Sequence, residues 1–466
     1  MSDRTAKALA GAEPVVFWSD RVDAPAPNPA LDRDVKADLT VIGGGLTGLW
    51  AAIQALEESP GMKVALVESE RCGFGASSRN GGFCDSSLTH GVNNGLLHWP
   101  GDIQALVRLG RQNLDEIEAS IQRYGIRAGF ERSGEVEVAT VPWHLQELED
   151  SLEAHQGVGD DVELLDADQM RARVQSPTYL GGLMRYHDAA LVDPARLCWG
   201  LRAAAEGLGA AVYEQTAVTA VSSDRSGLSV STSGGTIRSD RVLMATNAYP
   251  GPVRRPRRYV IPVYEQVLMT EPLSTQQLNS IGWEGREGIG DASNQIHYYR
   301  LSEDNRILWG GFDAIYHFNS GVHPRHDQSD YVHGGLASTF FETFPQLEDL
   351  KFTHRWGGPI GTTSRFSAAW GTSHGDRLAW VAGYTGLGVG ASRFGARVAL
   401  DLVLGQKSER TELEMVRKKP LPFPPEPLRW AGVTLTKRAM HRADRRDGKR
   451  GPWLRALDRI GVGFDS

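Results

Sequence analysis

The stretch that decides the fold is "ADLTVIGGGLTGLWAAIQALEES" (residues 37–59). Its apolar run Leu39–Ile42 predicts a buried strand, and the apolar spacing after the glycines predicts a helix. Between them stands the pattern Gly43-x-Gly45-x-x-Gly48. Gly43 permits a tight turn, Gly45 lets a ligand approach the backbone, and Gly48 lets the helix pack closely on the strand. The stretch therefore predicts a strand–turn–helix unit with free N–H groups at the start of the helix.

A second strand and an acidic residue extend this unit. The segment "KVALVES" (Lys63–Ser69) is apolar almost throughout, as strands of parallel sheets are. Glu68 near its end, about 20 residues after Gly48, can accept hydrogen bonds from ribose hydroxyls and disfavours a 2′-phosphate. The free N–H groups and the positive end of the helix dipole would face phosphates. Together these features predict dinucleotide binding, whereas a glycine-rich turn without a ligand leaves Glu68 unexplained.

Composition sets the broad class. A chain of 466 residues favours at least two domains, and 41% hydrophobic with 23% charged residues is ordinary for a globular protein. The net charge of −7 argues against nucleic acid as a partner. The three cysteines lack the spacing of a zinc site or a disulfide framework, so no metal is expected. Without a signal-peptide core or an apolar run of ~20 residues, we expect a cytoplasmic protein with no membrane span.

Two further glycine-rich segments distinguish FAD from NAD. The segment "FGASSRNGGF" (Phe74–Phe83) follows the acid directly, where an NAD domain would start another regular element. The segment "GYTGLGVGAS" (Gly383–Ser392) places a second glycine-rich turn before a helix. A flavin ring needs such a second helix N-terminus, because the dipole stabilises negative charge on the reduced ring. The pair favours FAD, and an NAD-dependent dehydrogenase stays as the alternative.

At these residues the chain resembles the D-amino-acid oxidase/glycine oxidase superfamily (DAO family) of FAD-dependent amine oxidoreductases. The matching segments are "VIGGGLTGLWAA", "VALVESERCGFGASSRNGG", "LVDPARL", "VLMATNAY", "YYRLSEDNRILWGGFD" and "VAGYTGLGVGASRFGA". They are spread over residues 37–405. Within the family the chain is similar to the γ-glutamylputrescine oxidase-like branch, which shares the "FW" pair, "GASSRNGG" and the "FPPEPLR…ADRR" tail.

The resemblance implies an α/β fold, with a Rossmann-like FAD-binding domain of the glutathione-reductase type interleaved with an antiparallel-sheet α+β substrate domain. The implied FAD-binding segments are 37–110, 186–252 and 351–415. The implied substrate-domain segments are 111–185, which we expect to be largely helical, and 253–350. An N-terminal arm (1–36) and a basic C-terminal tail (416–466) complete the chain, and we expect the tail to be a solvated face.

The resemblance also implies non-covalent FAD held by residues within or beside these motifs. They are Gly43, Gly45, Leu46, Thr47 and Gly48 at the first helix; Glu68, Ser69 and Arg71 at the adenine ribose; Gly75, Ala76, Ser77, Ser78, Arg79, Asn80, Gly81 and Gly82 along the pyrophosphate, ribityl chain and ring; Val218 at the adenine; Ala245 and Thr246 at a strand end; and Gly358, Gly383, Gly386, Leu387, Gly388 and Val389 toward the ring. The segment Phe74–Phe83 has no histidine for covalent attachment, and we interpret Cys84 as a small buried thiol.

Family chemistry removes a hydride equivalent from the carbon beside a nitrogen and yields an imine, which water converts to an aldehyde. The candidate catalytic residues are Tyr299, Tyr264, Glu265 and Trp356. A tyrosine at 299 could equally pack in the core, and Glu265 could be a solvated edge acid. We interpret His297 and Arg300 as structural residues.

One departure from the family concerns the substrate. D-amino-acid and glycine oxidases bind the substrate carboxylate with an arginine where this chain has Pro359 and Ile360, and Arg365 comes too late to replace it. An unpaired carboxylate in a dry site is costly, so we expect an acylated polyamine or another ω-amino compound. A D-amino acid or N-methyl amino acid is the alternative substrate. A non-catalytic flavin-binding subunit whose tail docks on a partner is the alternative of another class.

The electron acceptor is O2 or another molecule. Leu308 falls near the position of a lysine that speeds the reaction with oxygen in sarcosine-type relatives. The sequence thus leaves oxidase and dehydrogenase both open.

Overall fold

The computed structural model describes residues 2–225 and 227–462. Its strands are β1 (Val35–Ile42), β2 (Val64–Val67), β3 (Phe83–Asp85), β4 (Glu135–Ala139), β5 (Val162–Asp166), β6 (Gly181–Arg185), β7 (Ala189–Leu191), β8 (Ala211–Tyr213), β9 (Val218–Asp224), β10 (Gly227–Thr232), β11 (Thr236–Met244), β12 (Ile261–Thr270), β13 (Gly288–Asp291), β14 (His297–Leu301), β15 (Ile307–Tyr316), β16 (Phe352–Thr362), β17 (Ala369–Ser373) and β18 (Leu378–Ala382). Its helices are α1 (Asp3–Leu9), α2 (Leu46–Glu58), α3 (Val92–His98), α4 (Ile103–Arg123), α5 (Pro142–Gly157), α6 (Ala167–Arg173), α7 (Pro194–Gly207), α8 (Thr275–Ile281), α9 (Asp330–Thr343), α10 (Gly388–Leu404), α11 (Glu409–Glu412), α12 (Glu414–Arg417), α13 (Leu428–Asp444) and α14 (Pro452–Arg459). Within the described ranges, none of these helices is long and apolar enough to cross a bilayer.

The first sheet has the order β17-β18-β11-β1-β2-β8, and the β9–β10 hairpin extends it beside β11. β1 runs parallel to both β2 and β11. Its inner residues, Val41 among them, are fully buried, because one face of the sheet packs on α2 and α10. The other face packs on residues of β10 and on Leu31 of the arm. α2 and α10 pack side by side in this core. Both begin where strands of this sheet end, so two helix N-termini lie at its carboxyl edge.

The second sheet has the order β16-β12-β15-β14-β13-β4-β6-β5 and is antiparallel except for the β13–β4 pair. One face packs on α9 through a core that contains Trp309, Tyr299, Phe340 and Phe344. Its other face, which carries Glu265 and Tyr298, turns toward the first domain. A sheet with one face on a helix leaves the opposite face free to form a binding surface.

The strand assignments change the predicted segmentation in two places. Residues 352–362 form β16 and pair with β12, so this part of the segment 351–415 belongs to the second sheet. The segment 111–185, expected to be largely helical, also contributes β4, β5 and β6 to that sheet. β16 pairs with the distant β12, and β4 connects β5 and β6 to the distant β13. Local periodicity does not reveal such pairing.

The N-terminal arm forms backbone hydrogen bonds and core contacts with the rest of the protein. Its backbone at Glu13 pairs with β16, since the Glu13 N–H donates to the Thr353 carbonyl (2.8 Å) and the Arg355 N–H donates to the Glu13 carbonyl (2.9 Å). Trp18 is 2% exposed and belongs to a core cluster with Trp356. The arm is therefore part of the folded body.

The C-terminal tail also packs on the body. Lys437 on α13 pairs with Asp313 on β15 (2.7 Å), and the Asn294 side-chain amide donates to Asp444 (2.6 Å). This corrects the expectation that the tail is only a solvated face, because an ion pair to β15 and an amide contact to the segment between β13 and β14 hold α13 on the body.

Candidate active site

A cavity of about 380 Å³ lies between the N-termini of α2 and α10 and one face of the second sheet. The predicted cofactor residues that line it are Gly45, Leu46, Thr47, Ala76, Ser77, Arg79, Asn80, Gly81, Ala245, Gly358, Gly386, Leu387, Gly388 and Val389. Those that lie outside the lining are Gly43, Gly48, Glu68, Ser69, Arg71, Gly75, Ser78, Gly82, Val218, Thr246 and Gly383. A larger surface depression of about 920 Å³ beside Tyr124 and Trp199 contains none of the predicted site residues, so we assign the site to the smaller cavity.

The first glycine loop is shaped by close packing. A Cβ added at Gly48 would lie 1.9 Å from the Gly43 carbonyl oxygen, so α2 can approach β1 only without a side chain there. Gly43 itself has a φ of +110°, which favours glycine. The N-cap of α2 is Gly45, which supplies no capping side chain, and the Leu46 N–H donates to the Ser77 hydroxyl (3.0 Å). The helix therefore presents its positive end to the cavity.

The acid predicted to bind the ribose lies at this same loop. The Glu68 carboxylate accepts hydrogen bonds from the Gly44 N–H (2.7 Å) and the Ser69 hydroxyl (3.0 Å). Burial raises the pKa of Glu68 above its ordinary value. Its backbone carbonyl accepts from the Thr216 N–H (2.7 Å), which brings the segment before Val218 alongside. The ribose-side and adenine-side candidates therefore adjoin each other at one end of the site.

The glycine–serine segment Phe74–Phe83 is fixed by its own asparagine and by two indoles. The Asn80 side-chain amide donates to the Ala76 and Ser77 carbonyls, and its oxygen accepts from the Gly82 N–H (2.8 Å). The Trp18 indole N–H donates to the Asn80 carbonyl (2.9 Å), and that of Trp356 to the Arg79 carbonyl (2.8 Å). The segment thus keeps one conformation along the cavity wall, with a single 3-10 turn at Ala76–Ser78 as its regular structure before β3.

Arg79 ties this loop to the second sheet. Its guanidinium donates to the Gly357 carbonyl (2.9 Å) and pairs with Asp327 (2.7 Å). Gly358 lies against the same side chain, since a Cβ added there would be 2.9 Å from the Arg79 Cδ. Arg79 is therefore already neutralised by a carboxylate of the protein.

The second glycine loop brings α10 to the cavity. Gly386 has a φ of +92° and a Cβ added there would meet no atom within 4 Å, while a Cβ at Gly388 would make only ordinary contacts. Packing within the described protein therefore does not require glycine at 388, whereas a ligand against the backbone would. The Thr47 hydroxyl donates to the Tyr384 hydroxyl (3.0 Å) and links α2 to this loop. α10 also lacks a side-chain cap.

These observations fit a long dinucleotide. Two helix N-termini without side-chain caps face one cavity, and the glycine–serine segment Phe74–Phe83 lines the same cavity. Cys84, which directly follows that segment, is fully buried, and burial raises its pKa to about 12, so it is an unreactive thiol.

The tyrosine that faces the cavity is Tyr298 and not Tyr299. Successive residues of β14 point to opposite faces of the sheet, and the Tyr299 hydroxyl bonds to the Tyr179 hydroxyl (2.7 Å) in the core, stacked on Trp309. Tyr298 lines the cavity and lies over Gly310, where a Cβ would come within 2.5 Å of its ring. The prediction of Tyr299 is therefore wrong by one residue. In a strand, a difference of one residue places the side chain on the opposite face of the sheet.

Glu265 lines the cavity as predicted. It lies on β12 opposite Gly358 of β16, and its carboxyl group is hydrogen-bonded to Tyr298. Burial raises the pKa of Glu265 to about 7, although the hydrogen bond from Tyr298 lowers it. The carboxyl group can therefore take up or release a proton near neutral pH.

The other two catalytic candidates lie outside the cavity lining. Tyr264 points to the opposite face of β12, where its hydroxyl accepts from the His323 N–H (3.1 Å). Trp356 is 1% exposed, and its ring packs in a core cluster with Trp18 while its N–H holds the loop. Both residues act as supports in the described structure, and neither contacts the space available to a substrate.

Carboxylates dominate the polar lining. They are Asp85, Glu135, Glu137, Glu265 and Asp291. In the described part of the lining, the permanently cationic side chains are Arg79 and Arg185. Arg185 donates to Asp85 (2.5 Å) and Glu135 (2.6 Å), so it too is neutralised.

The absence of a family arginine is visible in this wall. Pro359 and Ile360, which stand where D-amino-acid and glycine oxidases have the carboxylate-binding arginine, line the cavity. Arg365 lies elsewhere, and its guanidinium donates to the backbone carbonyls of Lys418 (2.8 Å) and Met415 (2.6 Å). Arg300 donates to the Val192 carbonyl (2.7 Å), as expected of a structural residue.

Sequence reasoning missed Trp18, Tyr298 and Glu137. The Trp18 contact joins two segments across 62 residues, and no local pattern signals it. The alternation of β4, with Val136 and Val138 fully buried, does mark Glu137 as facing the other side, but only once β4 is recognised as a strand.

Comparisons with known proteins agree with this architecture. The family model described as DAO, FAD dependent oxidoreductase, matches residues 38–402. The γ-glutamylputrescine oxidoreductase of Escherichia coli K12 is 30% identical over 395 residues, which cover 84% of this chain and 88% of that protein. The glycine oxidase of Geobacillus kaustophilus is 25% identical over 325 residues, which cover 67% of this chain and 82% of that protein.

Solved structures show the same fold. The crystal structure of glycine oxidase from Geobacillus kaustophilus superposes with a TM-score of 0.69 at 20% identity, covering 82% of this chain and 99% of that one. L-Proline dehydrogenase from P. horikoshii gives a TM-score of 0.67 at 18% identity, covering 82% and 96%.

Proposed function

The chain belongs to the DAO family of FAD-dependent oxidoreductases, and on that premise we propose that it oxidises a C–N bond of an amine without a neighbouring carboxylate. Family membership confirms the resemblance drawn from the motifs, the fold class and FAD as the cofactor. The substrate class we propose is an acylated polyamine or another ω-amino compound. The relative from Escherichia coli named for γ-glutamylputrescine supports this choice.

The observation that carries the proposal is the charge of the cavity lining. Five carboxyl groups face two arginines, and both arginines already have carboxylate partners within the described residues. A substrate carboxylate would meet this negative field without a free guanidinium, whereas a substrate ammonium would be attracted by it. The lining therefore favours amines over amino acids.

We assign the cofactor to the two glycine loops and the segment between them. Gly45, Leu46 and Ser77 would hold the pyrophosphate, with Glu68 at the ribose, and Gly386–Val389 would approach the ring. FAD, when bound, supplies the acceptor for the hydride that leaves the carbon beside the substrate nitrogen.

Glu265 and Tyr298 would prepare the amine. An ammonium drawn to the ionised Glu265 can give one proton to its carboxylate oxygen, which leaves the nitrogen lone pair free. Tyr298, hydrogen-bonded to Glu265, fixes the orientation of that carboxyl group. Phe83, which packs edge-on against Tyr298 with ring centroids 5.9 Å apart, helps to exclude water from the reacting carbon. The resulting imine is released to water and hydrolyses to an aldehyde.

Anaerobic bleaching of the flavin tests this proposal. Alkylamines, polyamines and acylated polyamines should reduce the bound flavin, and D-amino acids and N-methyl amino acids should reduce it more slowly. Faster bleaching by the amino acids would overturn the choice of substrate, and no bleaching by any compound would favour a non-catalytic flavoprotein. Re-oxidation in air, with peroxide measured, then distinguishes an oxidase from a dehydrogenase.

A further inference from the structure

Glu137 stands apart among the carboxylates of the cavity. It lies on β4, where Glu135 and Glu137 share the cavity face while Val136 and Val138 are fully buried on the other. Within the described residues its carboxylate has neither a hydrogen bond nor an ion pair.

The neighbouring charged groups are all partnered. Arg185 is shared between Asp85 and Glu135, and His155 pairs with Asp160. The Arg185 guanidinium is the permanent cation that acts on Glu137, and its own direct partners are the carboxylates of Asp85 and Glu135. Burial raises the pKa of Glu137, and this effect outweighs the lowering by Arg185, which makes no direct ion pair with it. Its charge is available to a cation of the substrate.

The positions of Glu137 and Glu265 in the sheet determine how long a substrate must be to reach both carboxyl groups. The strand order β12-β15-β14-β13-β4 puts four inter-strand steps between them. At the usual spacing of about 4.8 Å per step, the two backbones are roughly 19 Å apart along the sheet. The side chains between them on the cavity face are short or flat, namely Gly310, Tyr298 and Gly290. An extended chain can therefore lie across the sheet from one carboxyl group to the other.

We infer that Glu137 binds a second, remote ammonium of the substrate, so that the enzyme selects elongated dications over monoamines. This rests on the proposed function, because Glu265 is taken as the partner of the reacting nitrogen. The reacting amine loses its proton near Glu265, while the distal ammonium keeps its charge against Glu137 and anchors the chain. Glu137 is a specificity residue and takes no part in hydride removal.

The test compares diamines with monoamines of the same carbon number. Dissociation constants of butane-, octane- and dodecane-diamine, and of the matching alkylamines, are measured anaerobically in the loaded protein from the dependence of the rate of flavin reduction on amine concentration. The longer diamines should bind about tenfold tighter than their monoamines, as expected for one charge-assisted contact. Glu137→Gln should remove most of that ratio, and Glu137→Asp should restore part of it.

Glu153→Gln is the matched control. Glu153 lies on α5, is exposed, and its substitution changes the net charge of the protein by the same amount. It should keep the diamine preference of the parent protein. Equal affinities for diamines and monoamines in the parent, or an unchanged preference in Glu137→Gln, would overturn the inference. If monoamines still bleach the flavin when the inference fails, the proposed amine oxidation is retained. If no amine bleaches the flavin, the proposed function itself is overturned.

Should Glu137→Gln fail to retain FAD, Glu137→Asp still decides the matter. Its carboxylate is withdrawn by one methylene, so the diamine length of tightest binding should shift to a longer chain. An unshifted optimum contradicts the role of Glu137.

Discussion

The position of Glu265 suits it to bind a substrate ammonium, but burial there disfavours the ionised carboxylate that this binding requires. Its carboxyl group faces the cavity where a substrate ammonium is expected, and the same enclosure raises its pKa to about 7. An acid with a raised pKa in the folded state favours folding while it is protonated. That contribution is complete below the ordinary value of 4.5 and is lost as the pH rises through about 7. Such a site lowers stability in exchange for function.

Replacing Glu265→Gln should therefore stabilise the protein in a pH-dependent way. At pH 8 the free energy of unfolding should rise by at most about 3 kcal/mol, the equivalent of the shift in pKa, and near pH 4.5 it should hardly change. Thermal unfolding of the flavin-loaded protein at several pH values measures this, with Glu153→Gln as the control. An equal change in melting temperature at both ends of the range would contradict it.

The two adjacent tyrosines offer a matched pair. Tyr298→Phe removes the hydrogen bond that lowers the pKa of Glu265, so the acidic limb of the pH profile for flavin reduction should move up by roughly half to one unit. Tyr299→Phe leaves Tyr179 unpaired in the core and should lower the melting temperature without moving that limb. An unchanged acidic limb of the pH profile in Tyr298→Phe would contradict the proposed interaction between Tyr298 and Glu265.

Single residues also mark where sequence reasoning reaches its limit. The pattern "HYYRL" indicates a strand, but only the face on which the sheet packs decides which tyrosine meets the cavity. Glu265 and the absence of an arginine at Pro359 and Ile360 could be read directly, because they depend on residue type at a motif.

At the level of elements, the glycine motifs predicted local structure well. β1, α2 and α10 begin or end within a few residues of the expected positions, because backbone conformation and helix spacing are properties of short segments. β16 and β4 were not placed in the second sheet, since their partners β12 and β13 come from other parts of the chain. β5 and β6 belong to the sheet through local pairing with β4.

The close approach of α2 to β1 can be tested with alanine. Gly48→Ala would bring a methyl group to 1.9 Å from the Gly43 carbonyl, so the helix must move away and carry its N-terminus from the cavity. We expect loss of bound FAD, measured as the ratio of flavin to protein absorbance after gel filtration. Gly207→Ala at the end of α7 meets no atom within 4 Å and should keep the parent ratio. Full FAD retention in Gly48→Ala would contradict the assignment of this loop.

On the scale of the whole molecule, both ends of the chain support the site. The arm places Trp18 against the Asn80 carbonyl, and the tail is fastened by Arg365 and by the contacts of α13 with β15. The likeness to the family predicted the interleaved domains, but it did not predict these terminal contacts, which depend on side chains far apart in sequence.

Trp18→Phe tests the contribution of the arm. The substitution keeps an aromatic ring but leaves the Asn80 carbonyl without its indole donor (2.9 Å in the parent), at a cost of about 1–2 kcal/mol. We expect the dissociation constant of FAD to rise about tenfold, measured by flavin fluorescence on dilution. Trp430→Phe on the exposed side of α13 is the control and should bind FAD as the parent does. An unchanged dissociation constant of FAD in Trp18→Phe would show that the arm does not contribute to cofactor binding.

The pairing of the arm with β16 has a consequence for biosynthesis. Residues of the arm dock on partners that are translated far later, as in the contact of Arg4 with the Glu348 carbonyl, which spans 344 positions. At about 5–20 residues per second, the arm waits tens of seconds for its place to exist. The Asn80 loop receives its Trp18 support only after that delay, so a nascent chain has to include β16 before it can capture its cofactor firmly.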